Sequence, residues 1–388
     1  MHNRNDIVKL GMAGVLVASL IAAPVKPVQA ATELTFSNWV NSVKISGDLR
    51  IRHEIFHKKT AGQVDRQRQR FRLRIGSEWA LPHNLTGYLK LATGTGEQVS
   101  TNQSFDNLGS QKEIWIDQVY LKWKPCDGLA LSGGRLKNPI WRVYSSDIVW
   151  DDDFNPEGFG QQFKVAIPAS GRLFLNGLQM VADEDSGTVN DQYMFGQQLG
   201  LVFPLPADSR ITVAGAYYEW AHERRGTFSQ VAANEGNTRT GAAPGTLTDE
   251  FGVAEVTTEI ASWIGKYPLA FQGTFIKNTR SLATATPTKE DQGAQAGLIF
   301  GKASDPKSWE AAYFYKTVET NATVADVSDS DFGDGGTNRR GHILWFAYNP
   351  ESWLQAKVKC FFTETNNVAF APGTDDINRF QFDLSVKF

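Results

Sequence analysis

Beyond residue 30 the sequence has no run of roughly 18 apolar residues, so no helix in it is built to cross a bilayer. Cysteine is scarce: Cys126 and Cys360 are the only two, which excludes a disulfide-framed scaffold. Cys126 follows Pro125 in an expected turn, whereas Cys360 sits mid-strand on an apolar face. A turn and a mid-wall position are not expected within bridging distance, so both are read as free, inert thiols. Beyond residue 30 histidine is limited to His53, His57, His83, His222 and His342, none in a metal-ligand or nucleophile spacing. His342, in Gly341-His342-Ile343-Leu344, is the one candidate for a barrel hydrolase, and a structural strand histidine is the simpler reading. No phosphate-cradling motif occurs. No catalytic residue, metal or cofactor is expected. An excess of either charge is also missing: 39 Lys and Arg face 42 Asp and Glu, a net −3, and nucleic acid is not an expected partner. Nor is there a repeat of fixed period beyond a hairpin rhythm, which disfavours a propeller or solenoid.

What is present begins with a basic start at Arg4 and Lys9 and an apolar run over residues 10–23. Val28-Gln29-Ala30 then offers small residues at a cleavage point, and residues 1–30 read as a cleaved secretory signal peptide. Residues 31–43, with Phe36 and Trp39, are expected as a short pre-barrel segment, and 44–388 as one domain. The mean hydropathy of −0.32 resembles that of a water-soluble protein. Alternation of polar and apolar residues produces the same average in a transmembrane barrel. The 35 glycines and 12% aromatics suit strands, turns and interfacial girdles.

The alternation is plainest at the C-terminus. Phe380, Phe382, Leu384, Val386 and Phe388 fall on one face, and Arg379, Gln381, Asp383, Ser385 and Lys387 on the other. Such a strand is long enough, at roughly ten residues, to cross a membrane tilted. About sixteen such segments are expected: 44–56, 67–81, 85–94, 113–124, 128–138, 159–168, 171–183, 191–203, 209–221, 249–263, 268–280, 291–302, 307–319, 339–349, 353–365 and 377–388. Those from 171 to 203 alternate least cleanly. Short Pro-, Asn-, Asp-, Gly- or Ser-containing connections alternate with long ones, as in transmembrane barrels. The expected fold is therefore all-β: a closed antiparallel transmembrane barrel of about sixteen strands, polar inside, with both ends on the short-turn side.

Two features carry candidate chemistry. Arg68, Arg70, Arg72 and Arg74 project to one side of one segment, and Arg50 and Arg52 to the same side of the segment before it. Closure would set Arg379 beside the first strand, producing a basic lumen wall screened by water, Asp48 and Glu54. The third long loop, 139–158, holds Trp141, Tyr144, Ile148, Trp150 and Phe154, too apolar for a loop in water. Folded into the lumen, it would set Asp147, Asp151, Asp152, Asp153 and Glu157 against the basic wall and create a transverse field at a constriction. A calcium site or an exposed acidic turn are the alternatives, though the spacing fits no calcium loop. A later stretch with Asp326, Asp329, Asp331 and Asp334 reads as a solvated outer loop. The function expected is passive diffusion of small hydrophilic solutes or ions. A barrel enzyme of lipase or protease type, or a plugged structural or adhesive barrel, are the alternatives.

Several motifs together resemble the bacterial "putative porin" family. They are Gly47-Asp48-Leu49-Arg50-Ile51-Arg52, Asp65-Arg66-Gln67-Arg68-Gln69-Arg70-Phe71-Arg72, Leu91-Ala92-Thr93-Gly94 with Ser100-Thr101-Asn102-Gln103, Ile114-Trp115-Ile116-Asp117-Gln118-Val119-Tyr120-Leu121, Gly134-Arg135-Leu136-Lys137-Asn138-Pro139, and Asp147-Ile148-Val149-Trp150-Asp151 with Asn155-Pro156-Glu157-Gly158. The resemblance covers roughly residues 44–160 and the terminal aromatic strand. It implies an outer-membrane barrel and supplies no substrate. Many family members carry a longer helical segment before the barrel than 31–43 provides. By resemblance to other outer-membrane proteins, Phe388 is expected to be read by the barrel-assembly machinery, outer-membrane lipids to surround the wall, and three copies to associate as a homotrimer.

Overall fold

The computed structural model describes residues 40–388 apart from 60–63, 168–170, 188–190, 227, 229–235, 242–244, 281–289 and 370–375. The expected signal peptide, residues 31–39 and the Ala169-Ser170 turn lie outside the described residues. Ser42 and Val43, expected before the barrel, already belong to its first strand.

Sixteen strands form the wall. They are β1 Ser42–Lys58, β2 Arg66–Leu81, β3 Leu85–Thr93, β4 Ile114–Cys126, β5 Leu129–Arg135, β6 Glu157–Ile167, β7 Gly171–Asp183 and β8 Gln192–Pro204. Then follow β9 Arg210–Ala221, β10 Gly252–Ile264, β11 Tyr267–Asn278, β12 Gln292–Gly301, β13 Ser308–Val318, β14 Arg339–Glu351, β15 Leu354–Thr365 and β16 Ile377–Lys387. Each pairs antiparallel with its chain neighbours, and β16 pairs with β1 from Asp48↔Lys387 to Lys58↔Ile377, which closes the barrel. Closure leaves no edge with unpaired backbone groups, the condition for a sheet in lipid. Short turns lie at one end and long loops at the other, among them loop 3 (136–156), loop 5 (222–251) and loop 7 (319–338). In the turn after β4, Gly128 has φ +86° and a Cβ there would stand 2.4 Å from the Lys164 carbonyl oxygen, so only glycine fits.

The outer surface is apolar. Leu199 and Phe271, on outward positions of β8 and β11, are each 50% exposed, a cost that water would exact and lipid does not. Near the short turns the outward chains become aromatic: Trp79, Trp123, Trp263, Tyr267, Trp309 and Tyr348. The Trp309 ring lies 5.5 Å from Tyr267 and 5.4 Å from Phe300, part of an interfacial girdle. Phe388 ends in this girdle. Its N–H donates to the Gly47 carbonyl (3.1 Å) and its carbonyl accepts from the Gly47 N–H (2.8 Å). A Cβ at Gly47 would meet the Phe388 ring at 2.6 Å, so the missing side chain leaves the ring its seat.

The inner face is not uniformly polar, as alternation alone suggested. Over β7–β13 it carries Phe174, Leu178, Met180, Met194, Tyr218, Val253, Ile276 and Val318, all buried. Strand β7 therefore has apolar residues on both faces, and β8 adds Met194 to its inner one, which is why the sequence alternates poorly here. One faces outward; the other packs against Ile140, Ile148, Val149, Trp150 and Phe154 of loop 3.

The seam between first and last strands is held by charge. Arg52 donates from Nε and Nη2 to both oxygens of Asp383 (2.7 and 2.8 Å), and Arg379 from Nε and Nη2 to Glu54 Oε1 (2.8 and 2.5 Å). Glu54 is 0% and Arg379 2% exposed. Breaking a buried pair leaves a charge uncompensated, so Arg379→Met should destabilise the barrel by about 3 kcal/mol, part of it recovered in the double variant with Glu54→Gln. Urea unfolding in lipid, followed by tryptophan fluorescence, measures this; a single variant that unfolds at the wild-type midpoint would show that the seam does not depend on the pair.

Candidate functional site

The strand registers bring the predicted arginines into rungs. Across β1 and β2, Asp48 faces Arg74, Arg50 faces Arg72, Arg52 faces Arg70 and Glu54 faces Arg68. On the other side of β1, Arg52 faces Asp383 and Phe56 faces Arg379. All point inward, because positions two apart share a face. The seven guanidiniums Arg50, Arg52, Arg68, Arg70, Arg72, Arg74 and Arg379 share five carboxylates: Asp48, Glu54, Asp153, Asp331 and Asp383. Asp48 receives Arg72 and Arg74 at 2.7 Å each. Glu54 receives Arg68, Arg379 and, at 4.0 Å, Arg70. The repulsion within the ladder is thus answered mainly inside the wall itself.

Loop 3 runs along inward side chains of several strands. The Trp141 amide donates to Gln198 Oε1 on β8 (2.8 Å), and Ser145 Oγ donates to Gln272 Oε1 on β11 (2.7 Å). The Ser145 carbonyl accepts from Gln295 on β12 (2.8 Å), and the Tyr144 ring meets Trp345 on β14 at 6.1 Å. Trp150 lies edge-on to Tyr218 of β9, 5.2 Å away.

The predicted loop carboxylates separate into three groups. Asp153 alone reaches the basic wall, 3.4 Å from Arg74 and 4.0 Å from Arg72, and accepts from Thr101. Burial would raise its pKa, but Arg72, Arg74 and Arg50 outweigh that and hold it below the usual carboxylate range. Asp147 and Asp152 pair with Arg142 of the same loop, at 3.5 and 2.6 Å. Asp151 caps backbone amides, those of Asp153 and Ser330 (2.8 Å each). Burial, with Asp152 and Asp329 nearby, pushes Asp147 well above the usual range. Burial together with Asp153, Asp147 and Asp329 does the same to Asp151. Glu157 does not join this group. It opens β6, opposite Arg135 of β5, and pairs with that residue at 2.8 Å.

Loop 7 supplies what the reading of a solvated outer loop missed. Residues 320–329 are buried almost throughout, as are Asp326 and Asp329 at 3% each. Asp329 pairs with buried Lys316 of β13 (2.7 Å), and Asp331 reaches Arg379 (2.6 Å) and Arg52 (3.4 Å). Burial opposes ionisation of Asp331, yet Arg379, Arg52 and Lys359 hold it well below the usual range. The two loops join through Asp151 N–H to the Val327 carbonyl (2.8 Å) and Asp329 N–H to the Asp147 carbonyl (3.1 Å). Among the described residues no group of His, Cys, Asp and Glu is arranged to hold a metal ion.

Between wall and loops lies a cavity of ≈ 550 Å³. Arg50, Arg52, Arg72 and Arg74 line it on one side, and Asp147, Asp151, Asp152 and Asp153 on the other. Arg68, Arg70 and Arg379 lie behind this surface. Lys357 and Lys359 of β15 also line it and had no assigned role. Their signal was present as Lys-x-Lys on the polar face of a strand next to the seam. His342 faces outward, its Nδ1 2.9 Å from the Tyr313 hydroxyl, away from the cavity. Cys126 and Cys360 are both free, with Cys360 on the outer face as read.

Residues 57–246 and 265–388 match the model of the family described as "Putative porin". The structure is similar to OmpF of Salmonella typhi, determined in complex with daunomycin. Identity is 11%, coverage is 92% of this chain and 100% of that one, and the TM-score is 0.53. It is similar also to the low-pH structure of OprB from Pseudomonas putida, at 10% identity, 89% and 92% coverage and a TM-score of 0.52. At such identities the likeness speaks for the fold. No curated protein matches the sequence. With its family match across most of the barrel and its sixteen closed strands, the chain belongs to the "Putative porin" family and is an outer-membrane barrel of the porin type.

Proposed function

We propose that the barrel is a passive channel for small hydrophilic solutes and ions, and that the charged cavity between β1, β2, β15, β16 and loops 3 and 7 is its narrow part. The observation that carries this reading is the placement of Arg50, Arg52, Arg72 and Arg74 across one cavity from Asp147, Asp151, Asp152 and Asp153. A solute entering it meets cations on one side and carboxylates on the other, in a region of low dielectric where their field is strong. Passage then depends on charge and size and requires no chemical step. A cleaved signal peptide at 1–30 would deliver the chain to the outer membrane.

One observation favours a second reading, a plugged barrel: loops 3 and 7 are hydrogen-bonded to each other within the barrel. Planar-bilayer recording separates the two. Folded, purified protein should give discrete conductance steps, and their absence would overturn the channel in favour of the plug.

Arg50→Gln with Arg72→Gln removes two cavity-facing charges while leaving Asp48 paired to Arg74. The reversal potential in a salt gradient should move toward cations; an unmoved value would place these arginines outside the ion path.

Acidification supplies a further test. Asp147 and Asp151 have raised pKa values, so as pH falls they take up protons before ordinary carboxylates do. Loss of that negative charge should shift selectivity toward anions at a pH above that at which ordinary carboxylates titrate. Asp147→Asn with Asp151→Asn should give the acid-like selectivity already at neutral pH and a flat profile across the same range. A double variant that keeps the full wild-type pH response would assign that response elsewhere.

A further inference from the structure

The cations lining the cavity are not all alike. Arg50, Arg52, Arg72, Arg74 and Lys90 each have a carboxylate within 4.0 Å. Lys357 and Lys359, two positions apart on the inward face of β15, form no such pair among the described residues; aromatic faces surround them instead. Lys357 Nζ stands 4.8 Å from the centroid of Trp345 and 5.8 Å from that of Tyr144. Lys359 Nζ is 4.7 Å from Phe361 and 6.0 Å from Trp345.

The neighbouring carboxylates are engaged elsewhere, Glu310 by the Trp345 indole N–H at 2.7 Å and by the Tyr144 hydroxyl. Asp383 sits across from Lys357 in register, but both its oxygens accept from Arg52. Asp329 belongs to Lys316, and Asp331 to Arg379 and Arg52. Two ammonium groups held side by side repel, and cation–π contact offsets only part of that. An anion between them would relieve it.

Beside these lysines lies an unused ring surface. Trp345 is committed: it stacks on Phe314 at 5.4 Å and 5°, and its Nε1–H donates to Glu310 at 2.7 Å. Tyr144, near the turning point of loop 3, is 59% exposed although loop 3 lies among inward-facing side chains. It thus presents exposed aromatic surface next to two cations that have no carboxylate within 4.0 Å among the described residues and that line a cavity of ≈ 550 Å³, a volume within the ordinary range for small-ligand sites.

We propose that Lys357, Lys359 and Tyr144 form a binding site for small aromatic carboxylates, the carboxylate held between the two ammonium groups and the ring stacked on Tyr144. The site deepens the channel reading, on which it rests for access from solution; binding itself is measured separately. Offset stacking supplies the preference for a planar ring, and the paired ammonium groups the preference for an anion.

Benzoate is the probe, with acetate, cyclohexanecarboxylate and benzyl alcohol as controls for ring, planarity and charge. In planar bilayers benzoate should reduce the chloride current at a concentration about tenfold below that needed with acetate or cyclohexanecarboxylate, and benzyl alcohol should have little effect. Lys357→Gln with Lys359→Gln should weaken the benzoate block about tenfold or more. Tyr144→Leu, on a loop and outside the wall's hydrogen-bonded strands, should bring benzoate to the level of acetate and leave acetate unchanged. Equal block by benzoate and acetate, or a Tyr144→Leu variant that blocks like the wild type, would overturn the site while leaving the channel in place. If no current is seen at all, the channel reading fails, and equilibrium dialysis of labelled benzoate against the detergent-solubilised full chain still decides the site. Binding lost in Tyr144→Leu supports it; no saturable binding by the wild type overturns it.

Discussion

Glu54 is the residue on which most of the barrel's charged half depends. It has no exposed surface, and a carboxylate so placed is tolerable only if fully paired. Arg379 reaches it from β16 and Arg68 from β2, while Gln381 donates at 2.9 Å. The first two strands and the last, 325 positions away at Arg379, are therefore referenced to one side chain. A slip of one residue in the β1–β16 register would turn Arg379 and Gln381 outward into lipid and leave Glu54 with fewer donors. Backbone hydrogen bonds close any antiparallel barrel in several registers; the buried carboxylate penalises the wrong ones. Arg379 extends the same network to Asp331, so the position of loop 7 is tied to correct closure of the wall.

The two inner loops are held by overlapping but different forces. Loop 3 is held by burial: Ile140, Ile148 and Trp150 are each 5% exposed or less and pack on an apolar inner surface. At about 25 cal/mol per Å² of apolar area removed from water, these side chains offset part of the cost of ordering the loop, and its hydrogen bonds to Gln198, Gln272 and Gln295 add to that. Loop 7 adds Ala322, Val324 and Val327 to the same apolar cluster and Phe332 near Phe361 and Lys316, and depends in addition on ion pairs and backbone capping. This difference is reflected in the composition of the wall. Strands β7–β11 offer loop 3 apolar side chains such as Leu178, Met194, Tyr218, Val253 and Ile276 beside polar ones such as Gln198 and Gln272, and β1, β2 and β16 carry charged inner faces because they face water and loop 7.

Strand positions were legible because a wall with lipid on one side and a polar interior on the other leaves a period of two in the sequence. The trace weakens where that premise fails. In β7, Phe174, Leu178 and Met180 point inward, so the inner and outer faces are both apolar and periodicity is lost. The arginine ladder was legible for the same reason as the strands. Its partners were less so: Asp331 lies 279 positions from Arg52 and Asp383 lies 331, and only closure and loop insertion bring them near. Loop 7 was misread because aspartates suggest water; here Lys316, Arg379 and Arg52 make burial affordable. Glu157 was misplaced by one structural step, since β6 begins there and presents it to Arg135 instead of to the cavity.

The tight pairing of the ladder changes what it does. A guanidinium clasped by a carboxylate at 2.7 Å behaves toward a distant solute more like a dipole than a charge, and its field falls off faster. Arg52, Arg68 and Arg379 therefore serve mostly to hold strands and loop 7 together. The field at the cavity is set by groups whose pairing is incomplete or adjustable. Arg50 has its nearest carboxylate, Asp383, at 3.7 Å, Lys357 and Lys359 have none within 4.0 Å among the described residues, and Asp147 and Asp151 resist ionisation. On the proposed channel reading, the lysines of β15 and the carboxyls of loop 3 would act on solutes together with the cavity-facing Arg50, Arg72 and Arg74, while the rest of the arginine row holds the wall.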